Sequence, residues 1–238
     1  VAGRSLPLYM NVATVFATWF GAETVLAVSA TFAMSGLSGI PGDPFGASAA
    51  LFLAALLFAR LFYRLNLLTI GDFYKKRYGK GVEVLTSLAI TLSYLGWTSA
   101  QMTALGLVIH VLSGGAIELN HAILGGAAIV MIYTMFGGMW SVAFTDLFQT
   151  VIIIIGLSLV AYMVGDLAGG VGPVVSHAIE AGKLHLIPPE ADGAMIWALA
   201  AGFLTVAFGS VPQQDVFQRM TSAKDEKTAV RGTLIGAS

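Results

Sequence analysis

The chain has 238 residues, 57% of them hydrophobic and only 11% charged, with a formal net charge of −1 and a mean hydropathy of +0.83. Soluble domains carry about 25% charged residues, so this is the composition of a membrane chain, and its near-neutral charge speaks against a nucleic-acid surface. The absence of cysteine excludes disulfides, thiolate metal sites and cysteine nucleophiles.

A membrane-crossing helix needs about 20 mostly apolar residues. Six runs qualify, at roughly 8–35, 46–66, 82–112, 121–138, 140–165 and 194–218, with a seventh starting near Thr228. Strand-like alternation is missing, so the pattern predicts one all-α transmembrane domain rather than a barrel. The first run has no small-residue cleavage site and leads into further spans, unlike a signal peptide. Between spans one and two, "SGIPGDPFG" (38–46) predicts a turn that no helix crosses. Span three is long enough to tilt. "FGGMWS" (136–141) predicts a tight turn ending span four. The segment 166–193 has room for a short surface helix within "GPVVSHAIEAGKL".

Charge orients these spans. The connection from Arg60 to Lys80 carries Arg60, Arg64, Lys75, Lys76, Arg77 and Lys80, and the tail after span six carries Arg219, Lys224, Lys227 and Arg231. The positive-inside rule puts both in the cytoplasm, together with the N-terminus and Arg4. The outer segments then hold Lys183 as their only Lys or Arg, against six carboxylates. This places the chain in a plasma (inner) membrane of bacterial type.

Two spans are interrupted. In span one, Thr18, Gly21, Ala22, Glu23 and Thr24 cluster in "FATWFGAETVLA"; in span six, "FGSVPQQDVFQR" sets Gly209, Ser210 and Pro212 ahead of Gln213, Gln214 and Asp215. Pro212 removes a backbone donor and predicts a kink. Paired interrupted helices point to the binding site of a secondary transporter, whereas a single one reads equally well as a packing kink. Glu23, an ionisable group near mid-membrane, is a functional candidate by default; otherwise it pairs across helices with a hydroxyl, amide or water. Asp146 opens span five, where helix capping explains it without an ion. Asp215, Gln218 and Arg219 are expected at the headgroups, or paired with Asp72 in an inner gate. His110, His121, His177 and His185 lack metal-ligand spacing. No phosphate loop, nucleophile elbow or zinc motif suggests an enzyme.

The stretch "GGMWSVAFTDLFQTVIIIIG" (137–156) resembles the signature of the sodium/solute symporter family. "NLLTIGDFYKKRYGKGVEVL" (66–85) and "QQDVFQRMTSAKD" (213–225) are similar to its inner loop and its end of span six. The resemblance runs in order along the chain. It implies a LeuT-like inverted-repeat bundle, present in part: the first five-helix repeat and the start of the second. An extra N-terminal helix and the later helices are expected outside this stretch, which reads as a fragment. It also implies sodium as coupling ion, held by the carbonyls of Ala17 and Phe20 and leaving past Asp146, without an organic cofactor. Glu23 matches the position that faces the substrate. "ATWFGAE" and "SYLGWTSAQ" resemble the choline-transporter branch, whose cavity tryptophans match Trp19 and Trp97 and suit an ammonium group by cation–π attraction. Gln213 stands where that branch has an aromatic residue, which weighs against choline itself, and Gly209 replaces the gating tyrosine of the sugar branch. Thr24 and Gln101 complete the expected substrate contacts.

The reading is a sodium-coupled symporter importing a small polar organic solute (an amino acid, a betaine- or choline-like amine, or a carboxylate) by alternating access. Its partners are that solute and membrane lipid, not nucleic acid. The alternative is a transporter-like sensory domain of a membrane signalling kinase, separable by whether a signalling domain follows residue 238.

Overall fold

A computed structural model describes residues 2–238, most of them helical: α1 (Leu8–Trp19), α2 (Glu23–Ser35), α3 (Pro41–Leu65), α4 (Ile70–Tyr78), α5 (Lys80–Leu112), α6 (Leu119–Leu167), α7 (Val171–Glu180), α8 (Gly193–Gly209), α9 (Gln214–Ser222) and α10 (Glu226–Ala237). No strand occurs among the described residues; one isolated parallel bridge joins Leu6 to Ala223. There Leu6 N–H donates to Ser222 O at 3.1 Å and Leu6 O accepts from Lys224 N–H at 3.0 Å, tying the segment before α1 to the end of α9.

Three helices, α3, α5 and α6, are individually long and apolar enough to cross a membrane. Two further candidates are bent pairs: α1 with α2 at 57°, and α8 with α9 at 47°. Inside α6, Gly138 leaves helical geometry with φ 52 and ψ −145, a conformation glycine adopts without steric cost. A straight helix of that length would reach roughly 75 Å at ~1.5 Å per residue, more than twice the ~30 Å hydrocarbon thickness. The turn expected over 38–46 is different: residues 41–46 are already wound into α3, with only Asp43 extended among them (φ −128, ψ 123). Pro41 sits in the first turn, where its missing donor costs nothing.

The packed centre lies where α1, α3, α9 and α10 meet. Val15, Leu51, Ala54, Phe62, Phe217 and Met220 form it, with Phe217 wholly buried and edge-on to Phe62 at 5.2 Å between ring centres. Small residues let these helices approach: a Cβ on Gly232 would lie 2.0 Å from Asn11 Oδ1. In α5 and α6, Gly106 serves likewise, its missing Cβ falling 2.2 Å from Ile123 Cγ1. Within the most apolar stretch of α3, 44% is buried, but none of that of α6. The outer helices therefore present Leu, Ile and Phe to their surroundings, a surface stable in hydrocarbon and not in water.

Side chains close the helix ends on the polar side. Thr69 and Asp72 form a reciprocal capping box on α4, and Asp225 Oδ1 accepts from Thr228 N–H at 2.7 Å at the start of α10. Arg64 grips Glu226 with two bonds of 2.8 and 3.0 Å, joining the end of α3 to α10. That contact holds the Glu226 carboxyl below the ordinary glutamate range.

Candidate binding cavity between two helix breaks

The first break is a departure from helical hydrogen bonding. Phe20 turns out of α1 with φ −89 and ψ 75. Gly21 N–H folds back to Trp19 O at 3.1 Å instead of reaching Ala17 O. Ala22 N–H leaves the main chain and donates to Gln101 Oε1 at 3.3 Å. The ladder resumes with Val25 N–H on Gly21 O at 3.3 Å, passing over Phe20 O. The carbonyls of Ala17 and Phe20 are thus without the donors that an unbroken helix supplies. In a low-polarity setting a bare carbonyl is costly unless something meets it.

The second break is carried by Pro212, which offers no N–H. α8 ends at Gly209, Gln213 N–H reaches Ser210 O at 3.3 Å, and α9 begins at Gln214. Two neighbours brace it. Tyr94 Oη of α5 accepts from Asp215 N–H at 3.2 Å, and Gln214 Oε1 accepts from Ile70 N–H at 2.8 Å.

Between the breaks and α5 lies a cavity of about 490 Å³, lined among others by Trp19, Glu23, Tyr94, Trp97, Gln213 and Asp215. Trp97 Nε1–H points at Glu23 Oε1, 3.4 Å away, and the Trp97 ring stands edge-on to Tyr94 at 6.0 Å. Buried Trp19 Nε1 and Gln214 Nε2 have no hydrogen-bond partner among the described residues. The cavity therefore offers two carboxylates, Glu23 and Asp215, and two indole side chains in its lining.

Four of the expected substrate contacts converge here: Trp19, Glu23, Trp97 and Gln213. Glu23's partner is an indole N–H rather than a hydroxyl, amide or water. Thr24 and Gln101 are not in the lining. Thr24 Oγ1 donates to Asp43 Oδ2 at 2.7 Å and lies 3.2 Å from Trp19 O. Gln101 sits behind Gly21, where a Cβ would come within 3.3 Å of its amide nitrogen. Both brace the break from outside.

Asp146 differs from a cap. It lies within α6, past Gly138, and faces Arg219 Nη2 at 3.8 Å, the two side chains being 12% and 15% exposed. Arg219 also donates from Nε to Thr18 Oγ1 at 2.9 Å and from Nη1 to Met139 Sδ at 3.2 Å. The expectation of Arg219 at the headgroups, or paired with Asp72, is thereby corrected: Asp72 is engaged by Thr69, and α9 is buried along Val216, Phe217 and Met220. A guanidinium carried inward on such a helix needs a buried acceptor, and Asp146 is the carboxylate in reach. The available signal was the reverse argument, that Asp146 in an apolar span needs a cation.

Two bent apolar helix pairs facing one polar cavity, beside helices long enough to span the hydrocarbon, mark an integral membrane protein, and such paired interruptions recur in secondary transporters. The chain belongs to the sodium:solute symporter family, which matches it over residues 1–238. It is 30% identical to high-affinity choline transporter 1 of Caenorhabditis elegans, over 94% of this chain and 37% of that protein. It is 29% identical to high-affinity choline transporter 1 of Drosophila melanogaster, over 99% and 36%. To the sodium-dependent multivitamin transporter of Oryctolagus cuniculus it is 29% identical, over 76% and 29%. The chain spans little more than a third of the choline transporters it matches.

Proposed function

We propose that this chain supplies part of the ion and substrate sites of a sodium-coupled symporter that imports a small polar organic solute by alternating access. The observation that carries the reading is the convergence of both helix breaks on one cavity containing Glu23, Trp19 and Trp97. Six crossings are assigned, at the span limits given above, with the break at Gly138 dividing α6 into two and the N-terminus in the cytoplasm.

Sodium is a hard ion that prefers oxygen. The carbonyls of Ala17 and Phe20, released from helical bonding, offer it ligands without a fixed counter-charge. Solute enters between the breaks, its charged or polar nitrogen against Glu23 and the faces of Trp19 and Trp97, and Gln213 meets its polar end. Filling the cavity bridges α1, α5 and α9 and draws the two bent spans together. Asp146 then receives the ion on the inward path, in competition with Arg219. Coupling requires that ion and solute each favour the closed form over the open one; otherwise the gradient does no work. The relatives' printed names speak of choline, vitamins and iodide; for this chain, the cavity favours an amine or zwitterion over an inorganic anion because its fixed charges are negative.

The test is uptake by the full-length protein in proteoliposomes, with amino acids, betaines, choline and carboxylates offered with and without an inward sodium gradient. Glu23→Ala is expected to abolish uptake of the preferred solute, and Asp146→Ala to reduce its dependence on sodium. Gradient-independent uptake in the native protein, or unaltered uptake in both variants at normal expression, refutes the reading.

A further inference from the structure

Four basic side chains and one carboxylate gather where the end of α3 meets the start of α10. Arg60, Lys227, Arg231, Val230 and Glu226 line a cavity of about 280 Å³, with Arg64 alongside. The carboxylate is already used: both oxygens of Glu226 accept from Arg64, and Arg60 Nε stays 3.8 Å away. Asp225 is turned to its own helix, accepting from Thr228 N–H at 2.7 Å. Among the described residues no carboxylate pairs with Lys227 or Arg231 within salt-bridge distance. Arg60, Lys227 and Arg231 against Glu226 leave a formal excess of two positive charges around one recess, and like charges crowded in this way favour an anion between them.

The surface next to the recess narrows the class of anion. Phe52, Leu56, Arg60 and Arg64 follow one another at spacings of four along α3, and Phe52 and Leu56 are exposed, as Arg60 and Arg64 are. The winding of α3 changes over Ala54–Phe58, and its exposed surface passes from apolar at Phe52, Leu56 and Leu57 to cationic at Arg60 and Arg64. A free phosphate uses only the cationic end. A phospholipid uses both, its phosphate in the recess and its acyl chains along Leu56 and Phe52.

We infer that the recess between α3 and α10 is a binding site for the phosphate headgroup of an anionic phospholipid of the inner leaflet, held by Arg60, Lys227 and Arg231. The inference rests on the proposed orientation, with the end of α3 in the cytoplasm. Arg64 serves to neutralise Glu226, and so keeps the recess open to an anion. A lipid there spans two helices that otherwise meet at this end through the Arg64–Glu226 pair.

The experiment uses the full-length protein in detergent, titrated with phosphatidylglycerol or phosphatidylcholine, with bound lipid counted by native mass spectrometry. Native protein is expected to retain phosphatidylglycerol in preference to phosphatidylcholine. Each basic residue near an anionic surface contributes about fivefold to affinity. Arg60→Ala with Arg231→Ala should therefore weaken phosphatidylglycerol roughly 25-fold and leave phosphatidylcholine unchanged. Arg60→Lys with Arg231→Lys, which keeps the charge, should retain most of the preference, and a matching melting temperature in the alanine variant separates lost binding from misfolding. Equal retention of both lipids by the native protein, or undiminished phosphatidylglycerol in the alanine variant, overturns the site. Displacement of phosphatidylglycerol by millimolar inorganic phosphate overturns the lipid assignment in favour of a free anion. Sodium-driven uptake measured on the same preparations keeps this outcome distinct from the fate of the transport reading.

Discussion

The two helix breaks look alike in outline and differ in cause. At the second, Pro212 stands between Ser210 and Gln214, and the chain could not continue its hydrogen bonding there in any fold. At the first no proline is present. Residues 20–22 leave the helix while side chains from elsewhere hold them out: Gln101 takes Ala22 N–H, Thr24 ties its turn to Asp43, and Trp97 meets Glu23. One break is local and permanent; the other is maintained by partners.

Arg219 connects the two regions, riding on α9 while contacting Thr18 of α1 and Asp146 of α6. Its removal is the largest expected perturbation. Arg219→Ala leaves Asp146 as an uncompensated buried charge, at a cost of about 3–5 kcal/mol, seen as a lowered melting temperature of the purified protein. The Arg219→Ala/Asp146→Ala pair should recover much of that loss, since the stranded carboxylate is then gone. Strict additivity of the two substitutions would show that Arg219 and Asp146 do not interact.

Next in size is Gln101→Leu, which leaves Ala22 N–H without its acceptor and should cost about 1–3 kcal/mol. Its hallmark is faster amide hydrogen exchange at Gly21 and Ala22, with Gln214 and Asp215 unaffected. Pro212→Ala should do less to stability, within about 1 kcal/mol, because the position already lies outside both helices. Spin labels on α8 and α9 should report a smaller bend than the present 47°, because the restored N–H can rejoin the helix. An unchanged bend would show that Pro212 does not cause the second break, and loss of the first break in this variant would undo the contrast drawn above.

The smallest effect is expected where the end of α3 meets α10. The bonds from Arg64 hold the Glu226 carboxyl below its ordinary value. A carboxyl depressed on folding stabilises the protein above its unfolded pKa, and that contribution is lost as pH falls through the folded value. Glu226→Gln should therefore melt slightly below native protein at neutral pH and together with it in strong acid. Because these side chains are largely exposed, the difference should shrink with added salt.

Much of the architecture was legible in residue order alone. Apolar runs of spanning length, Pro212, and the small-polar cluster around Glu23 are local facts, and the two tryptophans near them already suggested one pocket. Less legible were residues whose role depends on distant neighbours. Nothing around Gln101 says that it caps an amide 79 positions earlier. Asp43 reads as part of a loop until Thr24 is seen to donate to it. The segment 38–46 carries two prolines and three glycines, yet 41–46 winds, because Pro41 falls in a first turn.

What the sequence by itself determined is a membrane chain of apolar helices with two weak points, since hydropathy, proline chemistry and the placement of basic residues act within a few turns of the chain. Only the tertiary structure decided which helices press their weak points together, which carbonyls go bare, and which carboxylate Arg219 meets. Those outcomes depend on packing α1, α3, α9 and α10 around Phe62 and Phe217. Burial changes what a charge or an amide must find, and it is set by neighbours far away along the chain.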